Sequence, residues 1–145
     1  LKSAYYIKYA SHETDENGNI TVVHCTYDPE SFGGETPDGR KVKGTLHWVS
    51  AHSAIDCEVR LYERLFNVPN PSDEEGVSSF ADNLNPESLT VLKGCKIDKS
   101  YKDVKVGDTF QFMRQGYFCV DSDSTADNLV FNRTVALKDS FVKKA

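Results

Sequence analysis

Along most of this chain, aromatic and β-branched residues alternate with polar ones in short runs, and turn-forming residues separate the runs. Residues 4–9 (Ala-Tyr-Tyr-Ile-Lys-Tyr) predict a strand, Asn17-Gly18 a turn, and residues 20–27 a returning strand, so the chain opens with a hairpin. A turn-rich loop follows, from Asp28-Pro29 through Gly33-Gly34 to Pro37-Asp38-Gly39. Residues 44–50 (Gly-Thr-Leu-His-Trp-Val-Ser) read as the next strand, with Leu46 and Trp48 on one face. Over residues 58–66 two periods compete: Val59, Leu61 and Leu65 fit a strand, whereas Val59, Tyr62 and Phe66 fit a helical stripe. The abrupt stop at Val68-Pro69-Asn70-Pro71 and the strands on either side favour strand.

Beyond Pro71 the chain turns acidic (Asp73, Glu74, Glu75), and a short helix is expected over residues 77–81. Residues 89–97 predict a strand and residues 99–103 a helical turn. Residues 109–114 and 117–120 predict two strands about a tight Gln115-Gly116 turn, and residues 129–138 a closing strand. Seven or eight short strands with little helix between them predict an all-β fold, an antiparallel β-barrel or sandwich with short helical turns. The proline-punctuated acidic stretch around residues 67–76 is the one internal boundary the pattern suggests.

Composition narrows the function classes. The chain has 145 residues, 39% hydrophobic and 27% charged, which suits a soluble globular domain with a real core. One Trp, seven Tyr and eight Phe exclude a disordered tail, and no apolar run is long enough for a membrane helix or a signal peptide. A net charge of −5 argues against a generic nucleic-acid binder and directs attention to local charge instead. Cys25, Cys57, Cys95 and Cys119 are far apart and form no CxxC pair, so free thiols in a cytoplasmic protein are expected. His24 and Cys25 are adjacent, so on a strand they face opposite ways and cannot share an ion; no metal site is expected. No hydrolase elbow, zinc-protease, phosphate-loop or dinucleotide motif is present. Asp56 and Glu58 have strand spacing and read as a solvated face, so the residues point to a binding domain.

Two features stand out. Lys93, Lys96, Lys99, Lys102 and Lys105 recur at every third position, opposed in that stretch only by Asp98 and Asp103. They form either a solubilising rim or a strip that contacts phosphates. The second is Phe110-Gln111-Phe112-Met113-Arg114-Gln115-Gly116-Tyr117-Phe118-Cys119, where alternation puts both phenylalanines on one face and Gln111 on the other. An exposed Gln beside an Arg at a turn suits a reader of unstacked bases.

Several long motifs, in order, then resemble the C-terminal anticodon-binding region of the glutaminyl-tRNA synthetase family. They are Arg40-Lys41-Val42-Lys43-Gly44 with Leu46-His47-Trp48-Val49-Ser50-Ala51, and Val59-Arg60-Leu61-Tyr62-Glu63-Arg64-Leu65-Phe66 with Val68-Pro69-Asn70-Pro71. Asn85-Pro86-Glu87-Ser88-Leu89, the Phe110 to Cys119 segment, and Val130-Phe131-Asn132-Arg133-Thr134-Val135 complete them. The resemblance covers nearly the whole chain. It implies two antiparallel β-barrels, with residues up to about 70 mostly in a distal barrel and the rest supplying strands of a proximal one. The parent it implies attaches glutamine to its tRNA with ATP and magnesium through a catalytic domain whose signatures are absent here, so the chain itself is expected to need no cofactor. Its partner would be the anticodon loop of glutamine tRNA, with no membrane, and a monomeric state is expected. Carried over by position, the resemblance assigns RNA contacts to Lys2, Gln111, Arg114, Lys138 and Ser140. At Lys2 and Lys138 the family has arginine, and lysine lacks its planar two-pronged donor. A related barrel region in archaeal-type glutamyl-tRNA synthetases is the alternative within the superfamily; a β-barrel protein-interaction module is the alternative outside it.

Overall fold

The computed structural model describes residues 1–35, 38–72 and 79–137, which form two compact units, Leu1–Trp48 and Val49–Ala145. Both are β-rich and contain only short 3₁₀ turns besides.

The first unit is built on a hairpin of β1 (Ile7–Thr14) and β2 (Ile20–Tyr27), paired antiparallel from Ile7 with Tyr27 to Thr14 with Ile20. Its loop closes on Asp15, whose carboxylate accepts from the Asn17 N–H, the Asn19 N–H and the Asn19 side-chain amide at 2.8–2.9 Å. Gly18 supplies the left-handed residue at φ +81°. These bonds, that of the Asn19 side chain first, hold the Asp15 carboxyl below its ordinary value. A 3₁₀ turn over Pro29–Gly34 follows, capped by Asp28. The buried Ser31 hydroxyl donates to the Asp28 carbonyl at 2.6 Å and accepts from the Tyr6 N–H at 2.8 Å, so it is satisfied in both roles.

Residues 44–50, expected as a strand, have no strand structure. Instead of a ladder, two isolated bonds tie this segment to the start of the chain. The Lys2 N–H donates to the Leu46 carbonyl at 2.9 Å, and the Trp48 indole N–H donates to the Lys2 carbonyl at 3.0 Å. Leu46 and Trp48 both stay half-exposed.

The second unit holds β3 (Ile55–Tyr62), β4 (Leu89–Ile97), β5 (Thr109–Phe112), β6 (Gly116–Val120) and β7 (Leu129–Val135) in the spatial order β4-β3-β7-β6-β5. The ambiguous segment is therefore a strand as far as Tyr62, with Phe66 in an isolated bridge to Leu84, and β2 and β4 have the bounds read from the sequence. The compact units divide between Trp48 and Val49, and β3 belongs to the second of them. One pairing departs from the antiparallel expectation: β3 and β7 run parallel, Cys57 beside Leu129 through Arg60 beside Asn132. Both sheets are open among the described residues. The helix expected over residues 77–81 falls partly outside those residues; within them a 3₁₀ turn spans Phe80–Asn83, capped by Ser79 and Asp82.

The core sits on one face of this sheet. Cys57, Ile97, Phe118, Val120, Leu129 and Phe131 are buried together, with Phe110, Phe112 and Tyr101 packed against them. Phe131 is wholly buried. On its other side β3 is fixed to the β6–β7 loop by Arg60, which pairs with Glu58 and Asp123 at 2.8 Å and with Asp121 at 3.5 Å. Asp121 also accepts from the Asn132 amide of β7.

The Asp123 N–H, followed by the Asn132 amide, holds the Asp121 carboxyl below the ordinary aspartate value. Its folded pKa is depressed, so its contribution to stability is complete above the unfolded value near pH 4 and is lost as pH falls through the folded value. Asp121→Asn therefore lowers the unfolding midpoint at neutral pH, and the gap to the parent chain closes in acid. Thermal denaturation of both across pH 2.5–7 checks this.

Candidate nucleic-acid interface

The edge hairpin β5–β6 carries two of the expected contact residues. Phe112 anchors it: its ring lies 4.8 Å from Phe118, 5.4 Å from Phe131 and 5.5 Å from Tyr101, centroid to centroid. With Phe110 and Phe112 turned to the core, strand alternation turns Gln111 outward. Gln111 is exposed, and its amide has no hydrogen-bond partner among the described residues. Directly across the ladder stands Tyr117, itself 45% exposed, so an amide and an aromatic ring share one open face.

The register of this hairpin differs from the sequence expectation. Gly116 is not part of a two-residue turn; it is the first residue of β6 and pairs with Phe112. The chain reverses over Met113, Arg114 and Gln115, closed by the Gln115 N–H donating to the Phe112 carbonyl at 2.8 Å. Arg114 takes the third position of this turn at φ +67°, a left-handed conformation that favours Gly or Asn. Gly116 is glycine for two reasons: its φ is +142°, and a Cβ there would lie 2.6 Å from the Val135 carbonyl oxygen. The Gln-Gly dipeptide looked like a turn, but a contact with β7 decides it. Tyr117 escaped the sequence reading because its position opposite Gln111 depends on that register.

Lys2 belongs to the first unit. Its backbone is clamped by Leu46 and Trp48, and with Lys43 and Tyr6 it lines an open cleft of about 520 Å³. Ser3 beside it is left-handed at φ +56°; Ser3 and Arg114 are the two non-glycine residues with positive φ among the described residues. Both thus lie on or next to an expected RNA contact, where backbone strain is commonly stored. Gln111 and Arg114 share one hairpin. Lys138 and Ser140 lie outside the described residues.

The lysine ladder does not form a single face. Lys93 and Lys96 flank a bulge at Gly94 (φ +69°), Lys99 sits in a 3₁₀ turn, and Lys102 and Lys105 follow it. Lys96 pairs with Asp56 at 2.6 Å and Lys102 lies 3.8 Å from Asp103. Glu58 is held by Arg60, so the two strand-spaced carboxylates have separate cationic partners. Among the described residues no group of three His, Cys, Asp or Glu side chains could hold a metal ion. No described helix is long and apolar enough to cross a membrane.

Residues 45–121 match the family of class I tRNA synthetases (E and Q), anti-codon binding domain. The chain is 52% identical over 143 residues to a glutamine–tRNA ligase of Proteus mirabilis and 53% identical over 144 residues to one of Vibrio parahaemolyticus. It is 49% identical over 142 residues to one of Pseudomonas putida. These alignments cover 97–99% of this chain but 25% of each relative, so the chain spans about a quarter of their length.

The strain at position 114 is separable from the guanidinium. Arg114→Gly and Arg114→Ala both delete the side chain, but only glycine adopts φ +67° without a steric cost. The Gly variant is more stable than the Ala variant by about 1 kcal/mol, which urea unfolding of the pair measures.

Proposed function

The chain belongs to the anticodon-binding-domain family of class I tRNA synthetases for glutamate and glutamine, and from that premise we propose that it reads the anticodon loop of glutamine tRNA within a glutamine–tRNA ligase. The observation that carries this reading is the β5–β6 edge, where Gln111, Tyr117 and Arg114 stand together at an exposed strand end and turn. Unpaired anticodon bases splay out and expose their Watson–Crick edges and ring faces. Gln111 offers a carbonyl acceptor and two N–H donors for such an edge. Tyr117 offers a ring on which a base can stack. Arg114 supplies a guanidinium for the adjoining phosphate or base. On the first unit, Lys2 contributes charge beside a cleft; Lys138 and Ser140 are assigned to the same loop on position alone.

In this reading residues up to about 70 belong mostly to the distal antiparallel barrel of the family and the rest supply strands of the proximal one. The parent ligase is a cytoplasmic monomer that uses ATP and magnesium. The described residues do not fit those groups: they contain no acidic metal cluster, and the sequence has no phosphate loop. In this reading ATP chemistry belongs to the catalytic portion of the parent, and this chain supplies binding energy and discrimination.

Binding of glutamine tRNA to the isolated chain is weak and depends on salt, with a log–log slope of about −2 to −4 for three to five neutralised phosphates. A flat salt response would instead support a protein-interaction module.

In the full-length ligase, Arg114→Ala costs about 1–3 kcal/mol in kcat/KM for tRNA. Gln111→Ala costs less but relaxes discrimination at the middle anticodon base. Charging assays on tRNAs with the middle base exchanged read both effects. If the parent charges glutamate tRNA rather than glutamine tRNA, the glutamyl branch of the family is the correct one. If Arg114→Ala unfolds the chain while the surviving protein keeps its tRNA kinetics, Arg114 is structural and the site lies elsewhere.

A further inference from the structure

We propose that Cys57 and Cys95 form a reversible modification site, a cross-strand dithiol that peroxide converts to a disulfide stapling β3 to β4. The two residues are direct register partners in the antiparallel β3–β4 ladder, so their side chains leave the sheet on the same face. Opposed Cβ atoms in such a pair stand about 4.5–5.5 Å apart, against the 3.5–4.5 Å a disulfide needs. The adjustment required is small, and the ladder is irregular next to it. The register shifts between Cys57 and Val59, and Gly94, beside Cys95, is left-handed at φ +69°. A bulge of this kind lets a strand bend locally. Neither of the other thiols is so placed: Cys119 lies opposite Thr109 and Asn132, and Cys25 opposite Tyr9 in the first unit.

The surroundings give the two sulfurs different roles. Cys95 is half-buried, with its thiol donating to the Leu92 carbonyl at 3.7 Å, whereas Cys57 is 4% exposed. Burial first, and then the neighbouring Cys95, pushes the Cys57 thiol up to about 11, so it does not initiate attack. Peroxide therefore meets Cys95: its thiolate takes one oxygen to give the sulfenic acid, and hydroxide leaves. The Cys57 sulfur then attacks the Cys95 sulfur, the S–O bond breaks, and the Cys57 proton departs with the hydroxyl as water. Overall, two thiols and one hydrogen peroxide give one disulfide and two waters. The link closes a loop that includes the Glu63–Asn67 and Asn85–Val91 walls of a surface cleft.

The whole chain, treated with hydrogen peroxide under native conditions, alkylated and digested without reduction, provides the test. The expected product is a Cys57–Cys95 linked peptide pair, restored to two thiols by dithiothreitol. The same link is expected in the Cys25→Ser, Cys119→Ser double variant. In Cys95→Ser, Cys57 remains a thiol that is alkylated only after denaturation. The inference is overturned if Cys95 proceeds to the sulfinic acid while Cys57 stays a thiol, or if either residue is linked to Cys25 or Cys119 instead. Because the parent chain alone gives the decisive peptide map, a variant that folds poorly does not obscure the result.

Discussion

The second unit depends on one constraint: β7 must be covered on both edges and both faces. Leu129, Val130 and Phe131 are consecutive and all buried, a run with no solvent side. Strand β3 takes one edge in parallel and β6 takes the other antiparallel. Continuous apolar runs of this kind belong to interior strands, whereas strands with one wet face alternate. The outer strands inherit their positions from β7. The hairpin that carries Gln111 and Arg114 is hung on it through Phe118 and Val120, and the tight approach of Gly116 to the Val135 carbonyl sets where β6 begins.

A rigid support of this kind is what a reader of flexible RNA needs. Loop bases bring their own conformational freedom, so selectivity improves when the protein side is already in place. Phe112 supplies that placement. Its ring is packed among four other aromatics, so the strand cannot rotate Gln111 inward without opening the core. The Arg60 cluster performs the same service on the opposite side of β3, tying it to the β6–β7 loop through one guanidinium shared by the Glu58, Asp121 and Asp123 carboxylates.

Much of this was legible in the chain because strand alternation is a local property. Residues 20–27 and 89–97 show their boundaries through flanking Asn-Gly, Asn-Pro and Asp signals, and the structure keeps those boundaries. The exposed position of Gln111 followed from the two phenylalanines beside it. Features set by distant contacts were not legible. Residues 44–50 have strand-like composition, but strand formation requires a partner, and two isolated bonds to Lys2 replace one. The parallel β3–β7 pairing leaves no trace in either segment alone. The Met113–Gln115 reversal was hidden because Gly116 looked like a turn residue, although its missing side chain answers to a carbonyl on another strand.

The parallel β3–β7 pairing also dictates an order of assembly. Strand β6 follows β5 through three residues, so that hairpin closes with little loss of chain entropy, whereas the β3–β4 pair must first close over residues 63–88. The seam between them cannot exist until β7, last of the five strands in chain order, arrives to join β3 on one side and β6 on the other. Until then β3 presents a bare edge and the Phe112–Phe118 pair lacks Phe131 above it. The β3–β7 seam, which joins Cys57 to Leu129 across most of the unit, is thus the pairing with the longest stretch of chain to close, and non-local pairings of this kind slow folding.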